Sequence, residues 1–88
     1  MKLLEIIHLR LAGPRSEALI QEIRDSVIRH DPKMVIRIYQ HAAVETDLAI
    51  HIQMAEPTAN QVDAELGVRL STALREYGMV NYTVWIER

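Results

Sequence analysis

Apolar and polar residues alternate along residues 2–12, which is the pattern of a β-strand. In an extended chain, successive side chains point to opposite faces. One face of this predicted strand carries aliphatic residues and Glu5, whereas the other carries Lys2, Leu4, Ile6, His8 and Arg10. Gly13 and Pro14 end the strand, and proline is well tolerated in the first turn of a following helix.

Two later segments repeat their apolar residues at helical spacing. Residues 16–30 predict a first helix, which ends at Asp31-Pro32 because the residue before proline is pushed out of the helical conformation. A second helix is predicted to begin at Thr58, where Gln61 completes a capping-box spacing, and to end at Gly78 as its C-terminal cap. Its predicted buried stripe is Val62, Leu66, Leu70, Ala73, Leu74 and Tyr77.

Alternation returns in three further segments, which predict strands over residues 34–43, 48–55 and 80–88. The first two are joined by Glu45-Thr46-Asp47, which suits a short hairpin loop. Their apolar sides must coincide, so the pairing register places His41 and His51 on one face.

The order strand, helix, strand, strand, helix, strand predicts the fold. A chain of 88 residues forms one domain, here residues 1–88. Two helices cannot cover both faces of a four-stranded sheet, so both are expected on one face. Right-handed connections then favour an α+β, ferredoxin-like βαββαβ fold with an antiparallel sheet of strand order 4-1-3-2.

The opposite face of the sheet is therefore expected to be free of helices. It combines apolar residues such as Leu4, Ile6 and Val35 with polar ones, and an apolar patch of this kind needs a partner. The simplest partner is a second copy that packs sheet against sheet in a two-fold dimer. The candidate ligand or interface residues on this face are His8, Arg10, Arg37, Tyr39, His41, His51, Gln53 and Trp85.

Composition removes several classes of function. The chain has no cysteine, which excludes disulfides and thiolate chemistry, and this together with the lack of a signal peptide leads us to expect the cytoplasm. The net charge of −2 and the mixed charge pattern argue against nucleic acid, and no apolar run is long enough for a membrane span. We expect neither a cofactor nor a bound metal.

Three chemical roles for the polar residues of this face remain as alternatives. His8, His41 and His51 share the face, but His41 is one strand further out, so their convergence on a metal ion is left open. A histidine there could perform acid-base chemistry. Arg10, Arg37 and Arg15 could bind an anion, and solvated charge is the simpler interpretation.

The whole chain resembles small ferredoxin-like domains, with two branches in view. The set His8, Tyr39, His41, His51 and Trp85 is compatible with dimeric α+β barrels similar to antibiotic biosynthesis monooxygenases, some of which oxidise polyketide-like substrates without metal or flavin. The segment MAEPTANQVDAELG lacks the tryptophan and histidine that a typical member has there, so no catalytic residue is carried over. LAGPRSEAL, with Gly13, resembles ACT-like regulatory domains.

The functional expectation is a small cytoplasmic homodimeric module that binds a ligand or another protein through its open sheet face. The alternative is a cofactor-independent enzyme similar to the monooxygenases of the dimeric α+β barrel type. Whether the chain is catalytic, and which ligand it takes, stays open at the level of sequence.

Overall fold

The computed structural model describes residues 3–14, 16–31, 33–54 and 65–88, including all of their side chains except those of Met54 and Glu65. Within these residues, the structure has strands where strands were predicted and helices where helices were predicted. They are β1 (Leu3–Leu11), α1 (Glu17–His30), β2 (Met34–Gln40), β3 (Asp47–Met54), α2 (Glu65–Leu74) and β4 (Gly78–Ile86).

The four strands form one sheet in the order β2-β3-β1-β4, and every neighbouring pair is antiparallel. Read from the other edge, this is the predicted order 4-1-3-2. The prediction of an α+β protein with a four-stranded antiparallel sheet and two helices is therefore confirmed, and the arrangement is consistent with a ferredoxin-like fold.

The hydrophobic core lies on the face of β1 that carries its odd-numbered residues. Ile7 and Leu9 are completely buried, as is Ile50 of β3, which pairs with Ile7. Both helices contribute to the same cluster of buried side chains, α1 with Leu19, Ile23 and Val27, and α2 with Leu66, Leu70 and Leu74. The spacing of four residues in each helix places these side chains on one stripe, which packs against the sheet.

The start of α1 follows from its sequence. Ser16 adopts an extended conformation, and its hydroxyl accepts a hydrogen bond from the backbone N–H of Leu19 at 3.3 Å, which makes it the N-cap. Glu17 places an acidic side chain in the first turn, next to the positive end of the helix dipole.

Several predicted boundaries differ from the structure. The predicted strand 34–43 ends at Gln40, and β3 begins at Asp47, one residue earlier than predicted. Ala73 and Tyr77 are exposed rather than buried, because α2 ends at Leu74 and only every fourth residue faces the core. The predicted helix start at Thr58, with Gln61 and Val62, lies outside the described residues.

Gly78 is the first residue of β4 and not the cap of α2. It pairs with Leu11 at the end of β1, and a side chain there would collide with the backbone carbonyl of Arg10. The glycine is needed because the two backbones approach closely, which is a different reason from the helix termination that the sequence suggested.

A polar pair lies between the sheet and α2. Glu5 is buried on the helix side of β1, and the hydroxyl of Tyr82 from β4 donates a hydrogen bond to its carboxylate. Gly67 of α2 faces both groups, and a Cβ at this position would lie 2.6 Å from the Tyr82 ring and hydroxyl. Burial and the neighbouring Glu5 carboxylate together raise the pKa of the Tyr82 phenol well above its usual value.

Candidate ligand-binding and interaction face

The sheet face opposite the helices consists of rows of residues that lie side by side across the strands. In antiparallel pairs, directly opposed residues project from the same face. We call this surface the open face. From one end to the other, its rows are Val35-Gln53-Leu4-Trp85, Arg37-His51-Ile6-Thr83, Tyr39-Ala49-His8-Asn81 and Asp47-Arg10-Met79.

The structure therefore brings together seven of the eight residues predicted for this surface. His41 is outside these rows because β2 ends at Gln40. Its backbone N–H still bonds to the carbonyl of Asp47, but its ring Nδ1 accepts hydrogen bonds from the backbone N–H groups of Ala43 and Val44, each at 3.0 Å. His41 therefore stabilises the hairpin loop, and it follows the end of β2 instead of lying inside the strand as predicted.

Large apolar side chains are exposed at the two edges of the open face. Tyr39 on β2 is 47 % exposed and Trp85 on β4 is 56 % exposed, whereas Leu4 and Ile6 in the middle are half-buried. The Trp85 indole N–H donates to the Thr83 hydroxyl at 2.9 Å, so the polar edge of the ring is already bonded within its own strand. An exposed aromatic ring whose N–H group is already hydrogen-bonded is suited to apolar contact with another molecule.

An edge-to-face contact joins β2 and β3 on this surface. The rings of Tyr39 and His51 lie with their centroids 5.0 Å apart and their planes inclined by 61°. This T-shaped geometry is one that aromatic pairs prefer. It fixes the two side chains relative to each other next to Arg37, which pairs with His51 across the strands.

Asp47 forms hydrogen bonds with two basic side chains at one end of the open face. Its Oδ1 accepts from Arg10 Nε at 3.0 Å, and its Oδ2 lies 3.3 Å from both Arg10 Nη2 and His8 Nε2. The Asp47 side chain is only 6 % exposed, whereas those of His8 and Arg10 are 48 % and 60 % exposed. The carboxylate is thus covered by two groups whose outer edges face solvent. We call this set the Asp47 cluster.

The charges of the Asp47 cluster shift the pKa values of two of its members. The hydrogen bond from Arg10 is the largest cause that lowers the pKa of Asp47, with smaller help from His8, and it outweighs the opposing effect of burial. The same hydrogen bond raises the pKa of Arg10. Asp47 is consequently a carboxylate and Arg10 a cation throughout the neutral range.

A depression of about 150 Å³ opens beside the Asp47 cluster, between β1 and β4. It is bordered by His8 and Arg10 on one side and by Met79, Val80 and Asn81 on the other. Met79 is 75 % exposed, and Asn81 pairs with His8 across the strands. The depression therefore offers an apolar wall opposite a charged one.

Metal-ligating residues do not gather in the part of the chain that the structure describes, where no group of three or more such side chains could hold an ion. His8 bonds to Asp47, His51 contacts Tyr39, and His41 bonds to the loop, so each ring has a separate partner. Of the predicted anion-binding arginines, Arg10 and Arg37 lie two rows apart, and Arg15 is outside the described residues.

Comparisons with known proteins identify no relative. No protein-family model, curated protein or solved structure matches the chain. Among the helices described by the structure, none has both the length and the apolar character needed to cross a membrane. The function is therefore inferred from the residues of the open face.

Asp47 is the site residue that the sequence analysis missed. The sequence predicts that it belongs to the hairpin loop with Glu45 and Thr46, because three polar residues in a row do not indicate where the loop ends. A signal was present in the parity of β3, since Asp47 has the same side-chain direction as Ala49 and His51. Only the register that pairs it with Arg10 gives that parity a chemical meaning.

Proposed function

We propose that the protein is a small homodimeric ligand-binding module, cytoplasmic and ferredoxin-like, in which two open faces pack against each other and enclose a ligand. The observation that carries this proposal is the placement of Tyr39 and Trp85 at opposite edges of the open face, both about half exposed. Surfaces of this type usually contact a partner, and a second copy is the partner with the same shape and chemistry.

The size of the open face supports a second copy as that partner. Four strands about 4.8 Å apart span about 19 Å, and a seven-residue strand is about 24 Å long, which gives a flat area of roughly 450 Å² per copy. Two copies together cover roughly 900 Å² before the relief of the side chains is counted. The relief of the side chains raises this value towards the roughly 1,000 Å² that a specific interface should exceed.

The charge of the open face permits this pairing. The Asp47 carboxylate neutralises Arg10 within each copy, so that Arg37 is the remaining fixed charge in the rows that define the face. One positive charge per copy produces little repulsion, because it lies at an edge where it stays close to solvent. The apolar residues Leu4, Ile6 and Val35 can then pack in the interior of the interface.

The proposal is tested by measuring the molecular mass in solution as a function of concentration. Wild-type protein is expected to form a dimer, and Tyr39→Glu is expected to raise the dissociation constant by about thirtyfold or more, because it removes an aromatic contact and places a charge in an apolar interface. The matched control is Ile28→Glu, which replaces a side chain of similar exposure, 51 %, on α1. This variant should dimerise like the wild type.

A monomer at all concentrations would contradict the proposal, and so would equal dimerisation constants for Tyr39→Glu and the wild type. The second outcome would point to a dimer through the outer edge of β4, which lies at the opposite side of the sheet from Tyr39. Nuclear magnetic resonance shifts mapped onto the backbone separate the two cases, because only a face-to-face dimer perturbs residues of all four strands.

The alternative of a cofactor-independent monooxygenase-like enzyme is favoured by one observation. His8 is held by Asp47 beside a depression, which is the arrangement of a base oriented by a carboxylate. Such an enzyme would deprotonate a phenolic substrate before its reaction with oxygen. Oxygen consumption with a hydroquinone as the probe tests this alternative, and a His8→Gln variant that consumes oxygen at the wild-type rate removes it.

A further inference from the structure

The depression beside the Asp47 cluster has the size of a small organic molecule. Its volume of about 150 Å³ is similar to that of a closed apolar cavity that accepts a benzene ring, and the depression differs in being open to solvent. Met79 forms an apolar side of the depression and is the most exposed of the large hydrophobic residues that the structure describes. A flat apolar body could therefore lie between Met79 and the charged side.

Hydrogen-bond donors line the opposite side of the depression. A guanidinium group has five N–H donors, and Arg10 directs two of its nitrogens to Asp47, so further donors are directed away from the carboxylate. His8 directs Nε2 to Asp47, and when the ring is protonated its Nδ1–H is a second donor for a ligand. On the side of Met79, Asn81 adds a carboxamide across from His8.

We propose that this depression binds a small organic carboxylate with an apolar body of about one ring, and that binding is coupled to protonation of His8. The inference rests on the proposed function, since it assigns a ligand class to the open face. The carboxylate accepts hydrogen bonds from Arg10 and His8, while the ring packs against Met79.

The coupling to a proton follows from the charges in the Asp47 cluster. When the His8 imidazole is neutral, the positive charge of Arg10 and the negative charge of Asp47 cancel, so the cluster attracts an anion only weakly. With a protonated imidazole, the cluster carries one net positive charge, and Nδ1 becomes a donor. The groups that face His8 are Arg10 on β1, Asp47 and His51 on β3, Tyr39 on β2 and the uncharged Asn81 on β4.

The test uses benzoate as the probe and benzamide as its uncharged counterpart of the same size. Calorimetric titration of the wild-type protein at about pH 6 and about pH 8 is expected to show benzoate binding at least about fivefold tighter at the lower pH. Benzamide is expected to bind at least about tenfold more weakly than benzoate at the lower pH. Repeating the titration in buffers of different ionisation enthalpy measures the proton taken up, without any substitution.

Two variants test the assignment of residues. His8→Gln is expected to remove the difference between the two pH values, and Arg10→Gln is expected to weaken benzoate binding at both. The control is Arg29→Gln, an exposed arginine on α1 that should bind benzoate like the wild type. Equal affinities at both pH values, no proton uptake, or equal binding of benzamide would overturn the inference.

Measuring the molecular mass of the same samples separates this inference from the proposed function. A dimer that binds no benzoate contradicts the ligand assignment and leaves the face-to-face dimer standing. A monomer that binds benzoate in a pH-dependent way contradicts the dimer and leaves the depression as a binding site.

Discussion

Substitution of Gly67 by alanine tests the closest contact between α2 and the sheet. Gly67 is the third residue of α2, and glycine within a helix normally destabilises it by up to about 1 kcal/mol relative to alanine. Helix propensity alone therefore predicts that Gly67→Ala stabilises the protein. The surroundings predict the opposite, because the added methyl group would lie 2.6 Å from both the ring and the hydroxyl of Tyr82 and would collide with the Glu5 carboxylate.

The size of each contribution to the free energy of unfolding decides between helix propensity and steric collision. Inserting a methyl group into a packed interior costs about 1–3 kcal/mol. Separating the Tyr82 hydroxyl from the buried Glu5 carboxylate leaves a polar group less well satisfied, which costs about 1–3 kcal/mol more. Together these costs exceed the gain in helix propensity, and a net loss of about 2 kcal/mol is expected. For a domain of this size, the midpoint of thermal unfolding should fall by roughly 8–16 °C.

Thermal and urea unfolding, followed by circular dichroism, measure this loss. The matched control is Gly13→Ala, because among the described residues, apart from its two chain neighbours, no heavy atom lies within 4 Å of a Cβ built at Gly13. That variant should be unchanged or slightly more stable, since alanine restricts the unfolded chain. An unchanged or raised unfolding midpoint for Gly67→Ala would refute the reasoning, because it would mean that α2 does not approach the Glu5–Tyr82 pair as described.

Three further changes test other contacts of the fold. Tyr82→Phe should lower the free energy of unfolding by about 1 kcal/mol at neutral pH through loss of the hydrogen bond to Glu5. Because the pKa of Tyr82 is raised in the folded protein, the wild type should lose stability as the pH rises above the ordinary tyrosine pKa of about 10. The difference in free energy of unfolding between the wild type and Tyr82→Phe, measured with urea, should therefore become smaller above this pH. Asp47→Asn is expected to change the stability of the protein at acidic pH. The pKa of Asp47 is lowered in the folded protein, so its stabilising effect is present above the ordinary value of about 3.9 and is lost as the pH falls further; acid unfolding should be less steep in the variant. Gly78→Ala should cost about 1–3 kcal/mol in the same unfolding assay, because the obstructing atoms belong to the backbone of Arg10 and Leu11 and cannot rotate away; a cost as small as that of Gly13→Ala would contradict the close pairing of β1 and β4.

The sheet and α1 could be predicted because their periodicity is strong. Ile7 and Leu9 alternate with His8 and Arg10, and burial in the structure follows this alternation residue by residue. Leu19 and Val27 repeat at the spacing of a helix and are both buried. In these elements, the position of an apolar residue is determined by the face that it must bury, so the pattern is sufficient.

Boundaries and close contacts could not be predicted in the same way. Glycine is typical of a helix end and also of a close approach between backbones, and Gly78 serves the second purpose, which depends on Arg10 from a distant part of the chain. The hydrogen bond between Glu5 and Tyr82 joins residues 77 positions apart, so no local pattern indicates it. His41 follows an alternating segment, yet β2 ends before it and its ring accepts hydrogen bonds from the backbone N–H groups of Ala43 and Val44.

The register between β1 and β3 links the candidate site to the specificity of the fold. Arg10 is directly opposite Asp47, and His8 lies two residues away on the same face, so both reach one carboxylate. A slip of one residue would turn Asp47 towards the helices. There the carboxylate would be buried without these partners, at a cost of several kcal/mol. The cluster that gives the open face its polar chemistry therefore also penalises the alternative register, and the two roles separate in experiment: Asp47→Asn should keep the circular dichroism spectrum of the wild type while it changes the pH dependence of benzoate binding.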